Sequence, residues 1–211
     1  MSCGCGDNKT FDGMSAAYKR RLWMVIAINA SMFVVEMTAG QMAGSQALKA
    51  DALDFFGDAA TYGMSLAVIG ASVTARANAA LIKAASLSAM GIWVFASTVW
   101  MAFARGVPEA EVMGLVGILA LAANVTSVLL LMAYKDGDAN VRSVWLCSRN
   151  DAIGNVAVMV AALGVWGTAT GWPDLVVAGV MATLFLSSAW QIVGQALTEK
   201  REASADASHA L

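Results

Sequence analysis

Proline and cysteine are scarce in this chain, at two and three among 211 residues. The first shortage excludes a set of proline-kinked helices, and the second excludes a disulfide framework. Charge is also sparse, at 13% of residues against 59% hydrophobic ones. That balance excludes an ordinary soluble domain and indicates a polytopic membrane protein. The first twenty residues are polar and contain no apolar core, so no cleavable signal peptide is expected. A net charge of −2 says little by itself, because the placement of charge carries the information.

What the chain does contain is long apolar segments. Hydropathy divides them into about six spans, near residues 22–43, 47–74, 81–104, 111–134, 141–166 and 173–197. Short connections between them argue for one all-α, six-helix transmembrane bundle in contact with membrane lipid. The expected organisation is a flexible N-terminal tail at 1–20, the transmembrane domain at 21–198 and a short tail at 199–211. Lys9, Lys19, Arg20, Arg21, Arg76, Lys83, Lys135, Arg142, Lys200 and Arg201 fall on one side of this layout. Only Lys49 and Arg105 fall on the other, so the positive-inside rule places both termini in the cytoplasm.

The second span carries the most informative stretch, Asp51-Ala52-Leu53-Asp54-Phe55-Phe56-Gly57-Asp58. On a helix, Asp54 and Asp58 lie one turn apart on one face, and Asp51 extends the same stripe. An Asp at the centre of a membrane helix costs roughly 2.5–3.5 kcal/mol, so three cost about 8–10. The surrounding apolar residues return only about 4 kcal/mol in sum, at about 0.3–0.6 each. Such a helix is tolerable when its acidic stripe faces a wet cavity or a cation.

The fifth span repeats the geometry with Cys147 and Asp151, and Asn155 follows one turn later. Two helices that each present a pair one turn apart supply four donors to one ion, as helical bundles do at metal sites. A thiolate and three carboxylates suit a four-coordinate divalent metal such as zinc. Asp51 reads as a vestibule carboxylate or a helix-start charge, and Asn155 as a pathway-lining or cross-helix group. Glu36 reads as a packing or relay group, and Asn29 and Asn124 as interhelical hydrogen-bonding groups. Arg149 points away from Cys147 and Asp151, toward Glu36 or a second protomer. Cys3, Cys5 and His209 lie in the tails and, with Asp51 and Asn155, are secondary candidates for metal binding. The C-x-C pair in a reducing compartment is either an auxiliary metal-capture site or incidental.

With these residues in view, the chain resembles the cation diffusion facilitator family. That family carries [H/D]-x-x-x-D after an A-D-A/S-L run in its second helix, matched here by Ala50-Asp51-Ala52-Leu53-Asp54 through Asp58. Its fifth helix carries H-x-x-x-D followed by A-L-G, matched by Cys147 through Asp151-Ala152-Ile153-Gly154 with cysteine in place of histidine. Val34-Val35-Glu36 in the first span is similar too. The resemblance covers roughly residues 22–197. It implies a transporter rather than an enzyme: a homodimer in a bacterial inner membrane that exports Zn²⁺, and next Cd²⁺, in exchange for protons by alternating access. Asp54, Asp58, Cys147 and Asp151 would bind the metal as cargo, with no tightly bound cofactor and no nucleic-acid partner. Thiolate is softer than imidazole and tilts selectivity toward zinc and cadmium over manganese. Family members usually continue into a cytoplasmic metal-binding domain, which is not expected in the short segment after the last span. The rival readings are a proton-coupled exporter of organic cations and a membrane metal-sensing accessory protein.

Overall fold

A computed structural model describes residues 15–67, 73–104, 106–136 and 139–209. Six long helices run through it: α1 (Ala16–Ala43), α2 (Gln46–Ala67), α3 (Val73–Ala104), α4 (Ala110–Leu131), α5 (Ala139–Thr168) and α6 (Trp172–His209). A single 3-10 turn, Met132–Tyr134, extends α4. Five of the six are long and apolar enough to cross a membrane. The exception is α2, whose 22 residues would span about 33 Å but carry Lys49, Asp51, Asp54 and Asp58. These charges keep α2 from standing alone in lipid, and the other helices enclose it. With six helices running back and forth, α1 starts and α6 finishes on one side, the side of Lys19, Arg20 and Arg21.

The helices associate chiefly as α1 with α2, α3 with α6 and α4 with α5. Leu87, Met90 and Val94 of α3 pack on Ala178, Met181, Ala182 and Phe185 of α6. A second core forms where Tyr18, Leu22 and Val25 of α1 meet Tyr62 of α2 and Leu131 of α4. Large apolar side chains face outward, as a lipid-contacting surface requires. Trp100, Phe103, Trp166 and Trp172 gather where α3 and α5 finish and α6 starts, with Trp23 and Trp190 toward the other end.

The turn from α1 into α2 is built by two glycines. Gly44 caps α1 in the left-handed region at φ 69°, where a side chain would be strained. At Gly40, a Cβ would meet Lys49 and Leu48 at 3.0–3.1 Å, so its absence lets α1 and α2 touch closely. Ser45 N–H then donates to the Gly40 carbonyl at 3.0 Å.

Three expectations need correction. α3 begins at Val73, well before the span expected from residue 81, so Arg76 lies in a helix rather than in a connection. At 32 residues, α3 reaches about 48 Å and outruns a hydrocarbon core of about 30 Å. α6 continues to His209, through the segment expected as a C-terminal tail. Ala, Glu, Lys and Arg in that segment are strong helix formers, so the helix need not stop where the membrane does. α1 begins at Ala16, within the expected N-terminal tail.

Candidate metal site

The acidic stripe of α2 faces inward, and α5 meets it. Asp151 lies within hydrogen-bonding reach of both Asp54 and Asp58. This joins two residues one turn apart on α2 to one residue of α5, deep in the bundle. Asn29, Asp51, Asp54, Phe55, Asp58, Asn124 and Asp151 line one narrow crevice of about 150 Å³, with no room for a water-sized sphere. A larger, open depression of about 510 Å³ lies on α6 beside Gln191 and Gln195, away from the carboxylates.

Each carboxylate has a distinct neighbourhood. Asp58 accepts a hydrogen bond from the Tyr62 hydroxyl one turn below it. The same hydroxyl lies 3.4 Å from Ser148 Oγ on α5, a fully buried group. Lys83 of α3 acts electrostatically on both Asp54 and Asp58. Among the described residues, no three His, Cys, Asp or Glu side chains form a ready-made metal cage. Cys147 falls on α5 one turn before Asp151, with its side chain outside the described set. The side chain of His209 is also outside it, and Cys3 and Cys5 lie outside the described residues.

One turn further along both helices the chemistry changes from carboxylates to amides. Asn124 Nδ2 on α4 donates to Asn155 Oδ1 at 2.8 Å. Asn155 Nδ2 on α5 donates to Asp51 Oδ2 on α2 at 2.7 Å. Asp51 is 2% exposed, so it does not open to solvent as a vestibule group would. Its carboxyl also faces Glu36 of α1, which is fully buried and receives no hydrogen bond from a donor group. Arg149 does not neutralise Glu36. It is exposed, stacks 5.6 Å over the Trp145 ring and donates to Asn150. Asn124 bonds across helices as expected, but neither amide atom of Asn29 has a partner.

Asp174, in the first turn of α6, has a role that sequence alone did not suggest. Its Oδ1 accepts from Ser45 Oγ at 2.6 Å and from Ala47 N–H at 3.0 Å. Its Oδ2 accepts from Gln46 N–H at 2.8 Å. Ser45 Oγ in turn accepts from Leu48 N–H at 3.0 Å. A carboxylate from α6 therefore caps the N-terminus of α2, where free N–H groups and the helix dipole favour negative charge. The helix that carries all three acidic residues is thus fastened at one end to α6. Lys49 lies within electrostatic reach of the same carboxylate.

Known proteins resemble this chain over most of its length. The family model for the cation efflux transmembrane domain matches residues 22–199. The zinc transporter ZitB of Yersinia pestis is 29% identical over 202 residues, covering 87% of this chain and 63% of the relative. ZitB of Escherichia coli K12 gives 29% identity with the same coverage. The metal cation efflux system protein CzcD of Cupriavidus metallidurans is 24% identical, covering 85% of this chain and 60% of the relative. The chain therefore spans less than two thirds of the length of these curated relatives. Apolar helices and bacterial relatives together identify an integral inner-membrane protein.

Proposed function

This chain belongs to the cation efflux family of transporters, and from that premise we propose that it exports a divalent metal cation, zinc first and cadmium next, in exchange for protons. The observation that carries the proposal is Asp151 of α5 facing both Asp54 and Asp58 of α2 inside a membrane bundle. Three carboxylates gathered at membrane depth are costly unless they bind a cation. Cys147 is the fourth donor in this reading, on the face of α5 that carries Asp151.

The size of the crevice supports an ion over an organic molecule. Pockets for drug-sized ligands run to about 300–1,000 Å³. The crevice between the carboxylates has no room for even a water-sized sphere, so no cavity of that size stands ready for an organic cation. Zinc accepts four oxygen, nitrogen or sulfur donors, and this donor set matches that preference. The relatives named as zinc transporters support the same cargo.

Proton exchange follows from the ligands' own chemistry. Carboxylates and a thiol must be deprotonated to hold a metal, so metal and protons compete for one set of atoms. Motion of α2 and α5 between inward and outward cavities would then carry the ion one way and protons the other. Tyr62 would release or recapture Asp58 as the ion enters or leaves.

The experiment is uptake by proteoliposomes of the purified chain, with Zn²⁺, Cd²⁺, Mn²⁺ and an organic cation offered in turn. Zinc flux driven by an opposed proton gradient, and slowed by acid on the metal-loading side, is expected. Flux of the organic cation without flux of any metal would overturn the proposal.

A further inference from the structure

Asn29 is a buried polar side chain that the fold leaves unanswered. It is 1% exposed, and neither its Oδ1 nor its Nδ2 meets a hydrogen-bond partner. Buried side-chain polar atoms are paired in the large majority of cases, so an amide open at both ends calls for an explanation. Exchanging its oxygen and nitrogen does not help, because both positions lack partners. Asn124 and Asn155 show that the bundle can satisfy buried amides, since they bond to one another and to Asp51.

The position of Asn29 supplies the explanation. It lies on α1 and lines the crevice shared by Asp54, Asp58 and Asp151. Glu36, also on α1, faces Asp51 instead and is not part of that wall. Resting on the metal-carrier reading above, we propose that Asn29 is a further ligand for the transported cation, offering its amide oxygen from α1 to the ion held by α2 and α5.

An amide oxygen is a neutral donor. It raises the coordination number without adding negative charge to a site that already holds three carboxylates. Carbonyl oxygens suit harder divalent ions, so such a ligand broadens the cargo beyond ions content with four donors. Binding would break no existing hydrogen bond, because Asn29 has none to give up. It would also tie α1 to the two ligand-bearing helices whenever the ion is present.

Cobalt(II) bound to the purified full chain is the probe, because four-coordinate cobalt absorbs visible light far more strongly than five- or six-coordinate cobalt. Asn29→Leu, similar in size but without the amide, should weaken cobalt binding about tenfold and intensify the visible bands. Asn29→Asp keeps an oxygen at that place and should retain the wild-type band shape. Metal-free Asn29→Leu should melt at or above the wild-type temperature, since no hydrogen bond is lost. Wild-type cobalt affinity and spectrum in Asn29→Leu would overturn the proposal. A lower metal-free melting temperature with unchanged cobalt affinity would overturn it too, as the signature of a packing role. Asp58→Ala separates the two levels of inference. Cobalt binding lost there but unaltered in Asn29→Leu refutes only the role of Asn29, whereas cobalt binding unaltered in Asp58→Ala refutes the carboxylate site itself.

Discussion

Asn155 on α5 donates its side-chain amide to Asp51 on α2 at 2.7 Å. This bond sets Asp51 apart from its neighbours on the acidic stripe: it occupies one carboxylate oxygen while Asp54 and Asp58 meet Asp151. The amide layer of Asn124, Asn155 and Asp51 thus adjoins the carboxylate layer one turn away and holds α2, α4 and α5 in register. Replacing Asn155 by Ala leaves a buried carboxylate without its donor and the Asn124 amide without its acceptor. Leaving such groups unpaired costs about 1–3 kcal/mol each. Thermal melting of the detergent-solubilised, metal-free variant should drop measurably. An unchanged melting temperature would show that the amide chain contributes nothing to the fold.

Asp174→Ala should be comparably damaging for a different reason. It strips three acceptor contacts from the N-terminus of α2, at Ser45, Gln46 and Ala47. Loss of a helix cap costs about 0.5–2 kcal/mol, and the orphaned buried donors add to that. Asp174→Asn keeps one carbonyl acceptor and should fall between wild type and the alanine variant in melting temperature. Equal stability of all three would mean that α2 is held by packing alone.

The contrast between these two residues marks how far the sequence could be read. Asp54, Asp58 and Asp151 could be picked out as candidates because helical periodicity places residues four apart on one face, and charge in an apolar span signals function, whereas Cys147 shares that period but its side chain lies outside the described residues. The six helices were legible from hydropathy, including α2, which its charges would otherwise disqualify. Asp174 was not legible. Its partners lie 127 to 129 residues away in sequence, and an Asp in the first turn of a helix looks like a local dipole charge. Arg76 fell between two expected spans, yet arginine fits a helix, and α3 runs through it. Asn29 looked like Asn124, and only packing could show that one is satisfied and the other is not.

In the proposed site, Cys147 is the donor that stands where the family pattern has histidine. Cys147→Ser should lower zinc and cadmium affinity by more than manganese or cobalt affinity, because it removes the soft donor. Cys147→His should retain zinc binding, since imidazole is also a good zinc ligand. Titration of each variant with the four metals checks this, and an unchanged metal profile in Cys147→Ser would place the fourth donor elsewhere.

The central claim is that Asp54 and Asp58 of α2 and Asp151 of α5 together hold the transported ion. Zinc flux into proteoliposomes, measured side by side for wild type, Asp58→Ala and Asp151→Ala, tests it most directly. Both variants should insert and remain folded, because each loses a carboxylate from an acidic cluster rather than a packing group, and both should show no zinc flux above protein-free liposomes. Zinc flux at the wild-type rate from either folded variant would contradict the claim.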